Sequence, residues 1–268
     1  MNILAFDIET VPDTESGRRI LDLGDLDDRD TGRAMLHRRR QETGGRDFLP
    51  LHLHKVVAIS VALRQGDRFR VWTLGEEDAD EAEIVARFFE GVERFQPDLV
   101  SWNGSGFDLP VLHYRALYHG IAAPTYWETG DNAQPFRFNN YLNRFHSRHM
   151  DLMDVISGYQ GRATAKLDEV AVMLGLPGKL GMHGSLVWDR ILDGDIKAVR
   201  DYCETDALNT YLVFLRFEYM RGRLNREEYT AEQERVREFL KASEENHFRQ
   251  FLEGWQDQPV REDLIKRG

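Results

Sequence analysis

The chain has 268 residues, 41% hydrophobic and 30% charged, an ordinary globular composition with ample length to bury a core. A net charge of −11 excludes a protein that coats nucleic acid without regard to sequence, yet leaves room for an enzyme holding a nucleic-acid end in a cleft. Cys203 is the only cysteine, no apolar run approaches membrane-span length and no secretory signal is visible, so a cytoplasmic protein without disulfides or membrane contact is expected.

The first ten residues carry the first chemical signal. Ile3, Leu4, Ala5 and Phe6 lead straight into Asp7 and Glu9. In a strand, side chains alternate with a period of two, which sets Asp7 and Glu9 on one face and Phe6 and Ile8 on the other. Two like charges side by side repel unless a cation lies between them. With 46 acidic residues in 268, an Asp-x-Glu pair arises several times by chance, so alone it is a weak signal. Val11-Pro12-Asp13 reads as a strand stop. Residues 13–50 form a charged insertion with a short helix predicted around 29–42 and a flexible segment after it; Arg38-Arg39-Arg40 reads as its solvated face. Lys55–Leu63 and Phe69–Leu74 read as strands joined by a hairpin turn at Gln65-Gly66-Asp67.

Residues 78–95 follow helical periodicity, with Ala82, Val85, Phe88, Phe89, Val92 and Phe95 on one side. Asp98–Trp102 is a short buried strand that ends in the turn Asn103-Gly104-Ser105-Gly106. A helix then runs to Tyr118, with Pro110 tolerated in its first turn and Asp108 as the expected N-cap. Residues 121–147 show no legible period. His149–Leu152 reads as a brief strand followed by a helix through Ile156, and Lys166–Leu174 as a helix ended by Gly175-Leu176-Pro177-Gly178. A long helix over 195–221 sets Tyr202 and Asp206 one turn apart on one face. Charged helix with Phe239, Leu240, Phe248, Phe251, Leu252 and Trp255 fills the tail. Trp102 and Phe107 read as core, Asp151 as a structural hydrogen bonder, and His149 and His183 as structural. Asn103 either contacts a substrate or holds its turn.

Phe6-Asp7-Ile8-Glu9-Thr10, Asn103-Gly104-Ser105-Gly106-Phe107-Asp108 and Tyr202-Cys203-Glu204-Thr205-Asp206 resemble, in order, the three motifs of the DEDD 3′–5′ exonuclease superfamily. More narrowly, the chain resembles stand-alone bacterial exonucleases related to the proofreading domain of family-B DNA polymerases; Leu176-Pro177-Gly178-Lys179 and Gly194-Asp195-Ile196 match that group too. The histidine branch places His five residues before the last acid, where Asp201 stands; the tyrosine branch places Tyr four before, where Tyr202 stands.

The resemblance, which covers most of residues 1–220, implies an α/β fold: a ribonuclease-H-like mixed five-stranded sheet, ordered 3-2-1-4-5, flanked by helices. Residues 1–220 would form the exonuclease domain and 221–268 a helical extension packed on it. It implies two divalent cations, Mg²⁺ or Mn²⁺, on Asp7, Glu9, Asp108 and Asp206, with Tyr202 orienting the attacking water. Thr10, Asn103, Phe107 and Lys179 would contact substrate. The implied partner is the 3′ end of single-stranded DNA or RNA, and the implied product is nucleoside 5′-monophosphate. The alternative is a non-catalytic nucleic-acid-binding or repair-complex subunit that kept the fold.

Overall fold

A computed structural model describes residues 1–256 and 258–260. In chain order its elements are β1 (Asn2–Pro12), α1 (Thr14–Leu21), α2 (Asp28–Thr43), β2 (His54–Gln65), β3 (Arg68–Thr73), α3 (Glu81–Phe95), β4 (Asp98–Ser101), α4 (Asp108–His119), α5 (Pro124–Trp127) and β5 (His149–Asp151). There follow α6 (Leu152–Ile156), α7 (Leu167–Met173), α8 (Val187–Leu192), α9 (Ile196–Met220), α10 (Arg226–Ala242) and α11 (Asn246–Gly254). The five strands form one mixed sheet in the order β3-β2-β1-β4-β5, with β1 at its centre. This is the ribonuclease-H-like order expected from the sequence.

The central position of β1 explains its near-continuous apolar run, because both faces are covered. Leu4, Phe6 and Ile8 pack on one side with Val85, Phe88 and Phe89 of α3 and Leu112 of α4. Ile3 and Ala5 face the other side with Leu208, Tyr211 and Leu212 of α9. Asp7 and Glu9 continue that second row by the same period of two. β1 is antiparallel to β2 and parallel to β4, and β4 is parallel to β5. Its pairing with β4 covers only Ile3 to Ala5, so the far half of that edge is open beyond the carboxyl end of β4. Ligand sites in open α/β sheets form at such strand ends.

β1 ends at the expected stop, Val11-Pro12-Asp13, and two expectations are corrected. A register shift between Glu9 and Thr10 lets the strand keep pairing as far as that stop, Pro12 against His54. Proline is tolerated there because it is the last strand residue, and Asp13 then caps α1 by accepting from the Ser16 N–H. The insertion holds two helices rather than one. Most of its charges face water, Asp13 being buried against Arg115, while Met35, Leu49 and Leu53 form a small core of their own. The two helices approach closely at Gly17, where a Cβ would fall 2.3 Å from the Met35 sulfur. Finally, Asp108 is not a cap: Phe107 holds that position without a side-chain hydrogen bond, and Asp108 is the first helical residue.

α9 is buried on almost every face between Tyr202 and Leu215, since the sheet lies on one side and other helices on the other. α10 and α11 add Val236, Leu240, Phe248, Phe251 and Trp255 to the same core. Glu232 of α10 also reaches across to Arg64 of β2 as a buried two-point ion pair, at 2.6 and 2.7 Å. Residues 257 and 261–268 of the expected extension lie outside the described residues. Among the described residues no helix is long and apolar enough to cross a membrane.

Candidate metal centre

Three elements that are distant in sequence bring four carboxylates together. β1 carries Asp7 and Glu9, the start of α4 carries Asp108, and α9 carries Asp206. Carboxylate oxygens of Asp7, Glu9 and Asp206 all lie within 4.8 Å of one another. Asp108 stands off from that trio, yet close enough for its charge to raise the pKa of both Asp7 and Glu9. Glu9, Asp108 and Asp206 are buried, at 8%, 4% and 8% exposure, so water cannot dissipate the repulsion.

The titration behaviour follows. Burial first, then the neighbouring carboxylates, hold Asp7 and Glu9 well above the usual carboxylate range. Burial lifts Asp108 to about 7 and Asp206 to about 6. Several contacts oppose the lift, the backbone N–H of Asp108 itself foremost on that residue. The Ile8 N–H, on the part of β1 that β4 leaves unpaired, hydrogen-bonds Asp108. The Tyr202 hydroxyl hydrogen-bonds Asp206. At the first position of α4, Asp108 also meets the positive end of the helix dipole. Among the described residues, none of the four acids forms an ion pair within contact distance. Lys179 is the cation whose field reaches Glu9 and Asp206; its ammonium lies 5.4 Å from the centre of the Tyr202 ring.

Such a donor set suits a hard divalent cation: several oxygens, all anionic and mutually repelling, with no paired base or thiolate. A second acid–histidine group offers a contrast. Asp201, Glu245 and His247 also converge. There, Lys197 already bridges Asp201 and Glu245 at 2.8 and 3.1 Å, and His247 is bound to Glu204 at 2.8 Å. The ammonium supplies the compensating charge, so that group reads as a structural tie between α9 and α11.

The turn that delivers Asp108 is held by Asp151, which accepts from the N–H groups of Asn103 and Ser105, both at 2.9 Å. Asn103 takes a left-handed conformation, φ 66°. Gly104 is required by close approach, since a Cβ would lie 2.2 Å from the Ser101 hydroxyl oxygen. That hydroxyl is bonded to His149, at 2.8 Å, whose burial pushes its pKa down to about 4 and keeps it neutral. Trp102 is half-buried against the main core and donates to the Ala165 carbonyl. His183 is exposed.

Of the expected substrate contacts, Thr10 is half-buried, its hydroxyl 2.8 Å from Nδ1 of His54. Nε2 of His54 faces the Leu49 carbonyl at 3.2 Å, which can only accept, so Nε2 carries the proton and Nδ1 accepts from Thr10. Phe107 is half-buried against the rings of Phe48 and His54. Sequence reasoning missed His54 and Phe48, which come from the neighbouring strand β2 and the insertion and carry no local signal. It also gave no role to Cys203, whose buried thiol lies 3.3 Å from the Asp7 carbonyl and 3.5 Å from its carboxylate. Only its place beside Tyr202 could have drawn attention to it.

Residues 46–255 match the family model of predicted 3′–5′ exonucleases related to the exonuclease domain of PolB, and the chain belongs to that family. Asp108, Tyr202 and Asp206 fall inside the matched stretch, whereas Asp7 and Glu9 precede it. Over 161 residues the chain is 25% identical to a DNA polymerase of Archaeoglobus fulgidus, covering 59% of this chain. The match spans only 19% of that polymerase.

Proposed function

We propose that this protein is a tyrosine-branch DEDD exonuclease that removes nucleoside 5′-monophosphates from the 3′ end of single-stranded DNA or RNA with two divalent cations, Mg²⁺ or Mn²⁺. The observation that carries the reading is the convergence of Asp7, Glu9 and Asp206, oxygens within 4.8 Å, in a buried site without a paired base. Membership of the exonuclease family supports the reaction class. Asp7 would serve both ions, with Glu9 and Asp206 completing one and Asp108 the other. When bound, such ions lower the pKa of a water and offset charge on the attacking and leaving oxygens.

The protein groups have distinct tasks. Burial and the surrounding acids push the Tyr202 phenol far above its ordinary pKa, so it stays protonated. It therefore steadies Asp206 and orients a water by hydrogen bonding, and does not act as a base. The Thr10 hydroxyl, whose proton is committed to His54, presents lone pairs to a sugar hydroxyl. Lys179 supplies positive charge for the phosphate. Asn103 is engaged in its turn through both its N–H and its carbonyl, which favours the turn-holding role. We also propose residues 1–220 as the catalytic unit, with 221–268 as an extension that stiffens α9, and, from the single buried cysteine, a cytoplasmic location.

A 5′-labelled single-stranded oligonucleotide tests the reading. Wild type with Mg²⁺ or Mn²⁺ shortens it stepwise from the 3′ end, and Asp7→Asn loses at least 10³-fold in rate, about 4 kcal/mol in the barrier, while keeping its fold. Inactive wild type, or shortening that survives Asp7→Asn, refutes it. Matched DNA and RNA strands in the same assay decide the sugar preference.

A further inference from the structure

Phe48, at the end of the charged insertion, is a large apolar side chain held in the open. Its backbone is anchored: the Arg39 guanidinium donates to its carbonyl at 2.9 Å, and the next residue, Leu49, is buried with Met35 and Leu53. The residue is nevertheless 56% exposed. The ring packs against His54, centroids 5.1 Å apart, and Phe107, 5.7 Å apart. His54 and Phe107 meet edge to face at 5.2 Å. Burial lowers the His54 pKa, so the three rings form an uncharged aromatic ledge.

Two of those rings tie the ledge to the acid cluster. Phe107 directly precedes Asp108, and His54 is bonded to Thr10, which directly follows Glu9. Of the neighbouring arginines, Arg38 is engaged with Glu42, Arg40 with Asp47 and Arg39 with the Phe48 carbonyl, while Arg46 is exposed. The ledge itself offers an aromatic face.

We infer that this ledge is a nucleobase subsite: Phe48 stacks on one of the last two bases of a strand whose terminal phosphodiester lies over the four carboxylates. The inference rests on the exonuclease reading above. Stacking suits an enzyme that must accept each new end in turn, because every base has a π face and the contact tolerates any sequence. The end of the insertion thereby gains a function, holding the ring that faces the substrate.

The test compares wild type, Phe48→Ala and Phe48→Trp on 5′-labelled single-stranded DNA with Mn²⁺. Strands are intact or carry one abasic residue at each of the last four positions. Phe48→Ala should raise KM about tenfold, the effect of losing ~1.4 kcal/mol of stacking, with kcat and melting temperature near wild type; Phe48→Trp restores KM. The difference between wild type and Phe48→Ala should vanish when the abasic residue is at one of the last two positions. An unchanged KM, or an equal loss on intact and on every abasic strand, overturns the subsite. In the inactive Asp7→Asn background, 2-aminopurine at those positions should be quenched on binding, and the quench should be lost with Phe48→Ala. That readout decides the stacking even if wild type fails to hydrolyse, so the two readings fail separately.

Discussion

Without cations, the acid cluster should make folding harder as pH rises, and the effect can be sized. Asp108 moves from the ordinary 3.8 to about 7 on folding and Asp206 from 3.8 to about 6. A folded pKa above the unfolded one means the native chain holds protons that the unfolded chain has released. Stability from these groups is thus complete below about pH 4 and is lost as pH rises through about 6 to 7. At about 1.4 kcal/mol per pH unit of displacement, the pair exposes the metal-free fold to a loss of several kcal/mol by pH 8. For a chain of this size that is about 10 °C in melting temperature. The assay is thermal unfolding in chelator from pH 5 to 8, comparing wild type with Asp108→Asn/Asp206→Asn, which keeps the shapes and removes the charges. Wild type should fall away from the double variant as pH rises, and millimolar Mn²⁺ at pH 8 should recover wild type alone. Parallel pH curves, or a wild type indifferent to Mn²⁺, would refute the account of the cluster.

Other parts of the structure carry their own expectations. Glu232→Ala leaves the Arg64 guanidinium buried without its carboxylate and should cost about 3–5 kcal/mol; Arg64→Met with Glu232→Leu should recover most of it, measured by chemical denaturation. Asp151→Ala strands the Asn103 and Ser105 N–H groups in the turn that delivers Asp108, at about 1–3 kcal/mol each if left unsatisfied. It should lower kcat more than it raises KM. An Asp151→Ala enzyme with wild-type kcat would show that the turn does not position Asp108.

Some features of this protein were legible in the chain alone. The apolar run of β1, the period of two that puts Asp7 and Glu9 on one face, and the one-turn spacing of Tyr202 and Asp206 are local properties. They need only strand and helix geometry to be read. The strand order followed from motifs that appear in sequence in the right order. What resisted reading is non-local. Asp108 looked like a helix cap because an acid before a leucine and a proline usually is one. Folded, it enters the first turn instead, where the Ile8 N–H and the cluster claim its carboxylate. The strand stop at Val11-Pro12 was legible, whereas the bulge between Glu9 and Thr10 was not, because a bulge depends on the partner strand. Cys203 against Asp7, His54 against Thr10 and Phe48 over Phe107 are contacts across gaps of 196, 44 and 59 residues. No local spacing encodes them, since each exists only once the sheet has closed around its first strand. The sequence by itself determined which residue types could hold a cation; the tertiary structure decided which of them stand close enough together to do so.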